Sequence, residues 1–169
     1  MMAPLAKVFG GIGAVLVTFM VIGLVLPGRW SAEASLQIDA SPAEVFPYLN
    51  DLGRWDTWTN WGEIDSELSD PSRGVGASRA WDDPNFGSGS VTITDSGSPT
   101  FVRYQVEVEG GASVIGEIRI EALGEASLVT WREEGDFGRN PLMGYVARGM
   151  AKSQGAQLAE GLEKLGYIF

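Results

Sequence analysis

The sequence predicts an α+β fold: an antiparallel β-sheet with one covered face, a long C-terminal helix as the cover, and two short helices after the first strand. Three observations predict it. Stretches between residues 31 and 134 alternate apolar and polar residues with period two, the mark of a sheet buried on one face. Leu142 to Leu165 instead carries apolar residues at helical spacing. Near the start of the alternating range lies Leu36–Trp61, LQIDASPAEVFPYLNDLGRWDTWTNW, where a strand runs into a Ser-Pro helix start and then three tryptophans spaced by three.

The first element precedes that fold. Val8 to Leu26 reads VFGGIGAVLVTFMVIGLVL and carries no charge. As a helix it would span roughly 28 Å, close to the bilayer hydrocarbon core of about 30 Å. Pro27-Gly28 ends it, and Lys7 and Arg29 flank it. This predicts a single-pass membrane anchor over residues 8–26, within an N-terminal unit of residues 1–29. Lys7 and the amino terminus slightly favour a cytoplasmic N-terminus, which would place residues 30–169 outside the cytoplasmic membrane. Two other readings compete. Ala32-Glu33-Ala34 has the spacing of a signal-peptide cleavage site, although the apolar run is longer than the usual ~7–15 residues. A buried core helix is the third reading.

The remaining elements follow in order. From Ser31 to Ala40, Ala32, Ala34, Leu36, Ile38 and Ala40 alternate with Glu33, Ser35, Gln37 and Asp39, predicting a half-buried strand. Ser41-Pro42 supplies an N-cap and a proline at the first helical position, with Glu44 in the first turn. Val45, Phe46 and Leu49 form that helix's apolar face, and Pro47 shortens it. Asp51 can cap a second short helix, on which Trp55 and Trp58 share a face. Strands are then predicted at Ile64–Leu68, Gly76–Asp82, Ser90–Asp95, Phe101–Glu109, Val114–Ala122 and Leu128–Glu134, with Gly110-Gly111 as a hairpin turn. Asn140-Pro141 is a second helix start. Val146, Met150, Leu158, Leu162 and Leu165 then recur on one helical face. Gly144, Gly149, Gly155 and Gly161 each disfavour helix by about 1 kcal/mol relative to alanine. Either the sheet or a ligand approaches closely there, or tertiary packing alone holds the helix.

Composition excludes much chemistry. The 169 residues contain no histidine and no cysteine, which removes Ser/His/Asp triads, cysteine nucleophiles, Cys/His zinc sites and disulfides. There are 12 basic and 22 acidic residues, and only Lys7 and Arg29 precede Trp30. The remainder therefore carries 10 basic and 22 acidic groups, a net charge of −12, a poor match for nucleic acid. Asp82, Asp83 and Asp136 fix no ligand count or spacing, so they read as solvated turn acids and no metal or cofactor is expected.

The order strand, two short helices, six strands and long last helix, with IDASPAEVFPYLNDL and then WDTWTNW, resembles the SRPBCC superfamily. That superfamily includes START-type lipid-transfer domains and the polyketide cyclase/dehydrase and lipid transport proteins. The resemblance covers roughly residues 31–166. It implies the helix-grip fold, a curved sheet wrapped around the last helix with an apolar cavity between them. Members bind lipids, sterols, quinones or polyketides, or have no known ligand, and no catalytic motif of the family maps onto this chain.

Candidate cavity residues come from position. Trp55, Trp58 and Trp61 either plug one end of the cavity as core or form a stacking surface at its mouth. Trp81, Tyr104 and Trp131 lie on apolar strand faces. Met143 and Met150 could supply adaptable lining from the last helix. Glu133 shares parity with Val129 and Trp131, and Arg79 shares parity with Trp81, so parity allows both to point inward, although the leading reading is that a strand bulge turns them outward. Facing each other, they would form a structural pair or a ligand clamp. The leading functional expectation is a membrane-tethered binding or carrier domain for a hydrophobic small molecule such as a lipid, quinone or polyketide-like compound. The alternative is a polyketide cyclase or dehydratase using Glu133, Arg79 and Tyr104, with a carboxylate of raised pKa transferring the proton. A blander option is an interaction domain presenting its acidic sheet face.

Overall fold

The computed structural model describes residues 3–84, 87–109, 111–138 and 142–169, with side chains from Gly11 onward except that of Glu63. In chain order the strands are β1 (Arg29–Ile38), β2 (Ser66–Leu68), β3 (Ser78–Asp83), β4 (Gly87–Gly97), β5 (Phe101–Val108), β6 (Ala112–Leu123) and β7 (Ala126–Asp136). They form one antiparallel sheet in the order β1-β7-β6-β5-β4-β3-β2. The helices are α1 (Ala3–Val25), α2 (Pro42–Leu49) and α3 (Met143–Gly166). α3 lies against β1 and β7, and α2 against β6 and β7, so the sheet has the one covered face that its alternation predicts.

Local chemistry explains most boundaries. The Glu44 carboxylate accepts hydrogen bonds from the Ser41 backbone N–H at 2.9 Å and from its hydroxyl at 2.7 Å. Together with Pro42 this starts α2 as expected. The second predicted helix is instead two 3-10 turns, Leu52–Thr57 and Asn60–Glu63. Asp51 caps the first by accepting from Gly53 N at 3.0 Å. The Thr57 hydroxyl then takes the Arg54 carbonyl at 2.7 Å, and the Trp55 carbonyl accepts from both the backbone N–H and the hydroxyl of Thr59 at 2.8 Å, closing the turn. β4 is longer than expected because its Gly-Ser start pairs with β3 and β5, and ladder hydrogen bonds need no side chain. The predicted strand at Ile64–Leu68 is reduced to Ser66–Leu68. Gly111, at φ 85°, turns the chain between β5 and β6, while Gly110 lies outside the described residues, as does the predicted cap Asn140-Pro141.

The C-terminal helix corrects the predicted stripe. Gly144, Ala147, Leu158, Gly161, Leu162 and Leu165 are buried, whereas Val146 is exposed. Small residues carry the buried face near the start of α3 because a neighbour comes close. A methyl built on Gly144 would meet Leu26, and one on Gly161 would lie 2.8 Å from Trp131 Cζ3. Gly149 and Gly155 have no such neighbour, so close approach accounts for two of the four glycines.

Among the described residues no helix is long and apolar enough to cross a membrane, so the span expected over residues 8–26 finds no support there. Described side chains in α1 begin at Gly11, and a helix over residues 11–25 is only about 22 Å long. α1 is not a core helix either: Val15 is 69% exposed and Val25 80%. It meets α3, where the Phe19 and Tyr145 rings stack at 4.4 Å and Tyr145 Oη donates to the Phe19 carbonyl at 3.0 Å. Trp30 and Ala32 are buried within β1, so cleavage after Ala34 would remove core residues and half of that strand.

Candidate functional site

A cavity of about 360 Å³ lies between the 3-10 turns, β7 and the C-terminal half of α3. Its apolar walls are Trp61, Ile64, Trp131, Leu158 and Gly161, and its polar groups are Thr59, Asn60, Glu133, Gln154 and Gln157. The cavity exists partly because Gly161 has no side chain where α3 crosses Trp131.

Glu133 is the unusual member, a carboxylate only 6% exposed. β7 turns it inward together with Val129 and Trp131, which corrects the bulged, outward reading: the strand keeps its alternation through Glu133. Sheet register explains its first partner. Tyr104 on β5 stands opposite Gly116 on β6, and Gly116 stands opposite Glu133 on β7. A methyl on Gly116 would overlap the Tyr104 ring. With glycine there, the ring lies across β6 and its hydroxyl hydrogen-bonds Glu133 Oε1. Trp131 Nε1 donates to the same Tyr104 oxygen at 2.7 Å, leaving the Tyr104 proton for Glu133. From α3, Gln154 Nε2 donates to Glu133 Oε2 at 2.7 Å. Both carboxylate oxygens thus receive neutral donors.

Burial raises the Glu133 pKa above the ordinary carboxylate range, against the hydrogen bonds from Tyr104 and Gln154 that favour its ionised form. The Tyr104 pKa is pushed well above its ordinary value by burial and by the adjacent Glu133. The sign of the linkage follows. A carboxyl group whose folded pKa exceeds its unfolded value stabilises the fold in its protonated form. That contribution is complete below the unfolded pKa, about 4.3, and is lost as pH rises through the folded pKa. Glu133→Gln lacks this loss. Its stability relative to the native chain is expected to increase from about pH 4.3 upward and then level off, by about 1.4 kcal/mol for each pH unit between the two pKa values. Urea unfolding of both proteins across pH measures it; a difference independent of pH would mean that Glu133 is not held by burial.

The other expected residues are distributed differently. Arg79 is buried as its parity predicts, but it does not face Glu133. It pairs with Asp56, and its Nε donates to Ser66 Oγ at 2.7 Å. It ties the first 3-10 turn and β2 to β3 and lies outside the cavity lining. The three spaced tryptophans divide. Trp55 and Trp58 are fully buried, and their indole N–H groups donate to the carbonyls of Leu49 and Tyr48 at 3.0 and 3.3 Å. Trp58 also packs edge-on against Trp131 at 5.1 Å. Trp61 lines the cavity and packs edge-on against Trp81 at 5.0 Å, which itself lies beyond the lining. Met143 and Met150 are half-buried on α3 and do not line it. Sequence reading missed Gln154, Gln157, Thr59 and Asn60, which are polar residues on a helix and in a turn whose inward direction only packing sets. Among the described residues no cluster of acidic side chains is arranged to hold a metal.

A sequence model of one family, described as polyketide cyclase/dehydrase and lipid transport, matches residues 29–166. No curated protein matches the chain. Solved structures share the fold. CalU16 from Micromonospora echinospora is 18% identical with a TM-score of 0.56, over 82% of this chain and 83% of that one. Norcoclaurine synthase from Thalictrum flavum, in complex with dopamine and hydroxybenzaldehyde, is 13% identical with a TM-score of 0.62, over 88% and 90%. DynU16, from the dynemicin biosynthetic locus, is 15% identical with a TM-score of 0.58 over 81% of this chain, which spans 46% of that protein.

Proposed function

The chain belongs to the polyketide cyclase/dehydrase and lipid transport family, and from that premise we propose that residues 30–169 bind a small, largely apolar molecule in the Glu133 cavity. The carrying observation is the cavity itself: about 360 Å³, walled by Trp61, Ile64, Trp131 and Leu158, with Glu133 and Gln154 at one side. A few placed polar groups in an apolar cavity of this size orient a small ligand. The ligand class is a lipid fragment, quinone or polyketide-like compound. The fold also holds two small aromatic molecules in norcoclaurine synthase, which is consistent with this size of ligand.

The proposal includes a tether, with residues 8–26 in a membrane and residues 30–169 outside the cytoplasm. The uncharged run in the sequence supports it, as do the large apolar side chains that α1 leaves exposed, Val15, Leu16, Val17 and Leu24 among them. Burying such surface in lipid is worth roughly 25 cal/mol per Å². A tether would keep a binding domain beside a poorly soluble ligand.

A second reading is favoured by one observation: the cavity contains an ionisable group. Glu133, with its raised pKa and the Tyr104 hydroxyl on it, can exchange a proton with a bound molecule. Arg79 drops out of that reading because Asp56 holds it elsewhere.

One experiment separates these readings. The full chain and Glu133→Gln are expressed, membranes are separated, and organic extracts of each purified protein are weighed by mass spectrometry. Binding predicts the same apolar compound from both proteins. Catalysis predicts a compound in Glu133→Gln that is converted in the native chain, with turnover reduced by about 10²–10⁴-fold. An empty cavity that also fails to take up an apolar fluorescent probe would remove both. Recovery in the soluble fraction, or a mature protein starting at Ser35, would remove the tether.

A further inference from the structure

Glu133 is a buried carboxylate without a cation. No described Arg or Lys pairs with it, although nine other ion pairs are present among the described residues. No Arg or Lys lines its cavity. Buried charges are normally paired or coordinate an ion, because removing a charge from water is costly. The polar groups around Glu133 are arranged for its ionised form. Tyr104, itself receiving the Trp131 N–H, hydrogen-bonds Oε1, and Gln154 donates to Oε2. A carboxylate offers about four lone-pair sites, so two remain for a donor inside the cavity. The structure supplies the hydrogen bonds of a carboxylate site and leaves out the positive charge.

We propose that the cavity takes an organic cation, a small amine or quaternary ammonium compound with an apolar body, its positive nitrogen against Glu133 and the indoles of Trp61 and Trp131 around it. The inference rests on the binding reading above and narrows its ligand class. Trp61 and Trp131 both line the cavity, and indole is the strongest aromatic partner for a cation. The same lining offers no counter-charge to a fatty-acid carboxylate or a phosphate, so anionic ligands are disfavoured. The net charge of −12 on residues 30–169 favours approach of cations over anions. Tyr104 is the titratable group in contact with Glu133, and its other neighbours across the sheet and on α3, Ala32, Gly116 and Gln154, carry no charge. Lys164 of α3 stands outside the lining, donating to Asn60 Oδ1 at 2.9 Å and paired with Glu160 at 2.8 Å.

The test uses the full chain in detergent with three probes: benzyltrimethylammonium, its uncharged carbon isostere neopentylbenzene, and phenylacetate. Tryptophan fluorescence and calorimetry read binding. The cation is expected to bind at least about tenfold more tightly than the isostere, the scale of about 1.4 kcal/mol, with phenylacetate weakest. Its affinity should rise with pH as Glu133 ionises. In Glu133→Gln the cation preference should vanish while the isostere still binds. Equal or tighter binding of the isostere by the native chain overturns the inference and leaves the cavity reading standing, and this comparison decides even if Glu133→Gln does not fold. Failure of all three probes overturns the cavity reading itself.

Discussion

Gly116→Ala is expected to destabilise the protein by about 3 kcal/mol, the upper end of ordinary overpacking, and to abolish binding in the Glu133 cavity. The added methyl would occupy the position of the Tyr104 ring, and both sit in the middle of a paired ladder. The backbone cannot yield without disturbing β5 and β7, so the ring must leave. Tyr104 is almost fully buried and packs edge-on against Trp55 at 5.0 Å, so it has nowhere to go without opening the core. Its departure also removes the donor to Glu133 and strands the Trp131 N–H, each a buried polar group then costing about 1–3 kcal/mol. The measurement is urea unfolding of Gly116→Ala, Tyr104→Ala and the double variant. Because the two residues collide, the double variant should be more stable than the summed single effects require, by at least about 1 kcal/mol. Strict additivity would show that the ring does not lie over Gly116.

That dependence on Gly116 marks how far the sequence could be read. Parity along β5, β6 and β7 placed Tyr104, Trp131 and Glu133 inward, since alternation is a property of each strand alone. A glycine contributes nothing to an apolar or polar count, so Gly116 passed as a blank in the pattern. Its role depends on register, which pairs Tyr104 with Gly116 and Gly116 with Glu133 across turns. The same gap affects Arg79. Parity found that it points inward, but the partner, Asp56, sits in a 3-10 turn distant in sequence. The usable signal was a glycine at an inward strand position with an aromatic on the neighbouring strand. It recurs where Gly89 faces Trp81 and Gly135 faces Trp30.

Trp58→Ala is expected to cost about 3–5 kcal/mol of stability, while Trp61→Ala costs about 1 kcal/mol and loses ligand binding. The spacing of three in Trp55, Trp58 and Trp61 makes them look alike in the sequence. Their surroundings separate them. Trp58 is fully buried, packs edge-on against Trp55 at 5.6 Å and Trp131 at 5.1 Å, and anchors its N–H on the Tyr48 carbonyl. Truncation there would leave a cavity bounded by α2, β7 and Gly161, whose missing side chain cannot fill it. Trp61 starts half-exposed in the second 3-10 turn and lines the ligand cavity, so its removal mainly widens a space that already exists. Urea unfolding and probe titration on both variants read the two effects separately. If Trp58→Ala kept near-native stability and lost binding, Trp58 would be a ligand contact and the boundary between core and site would lie one turn deeper.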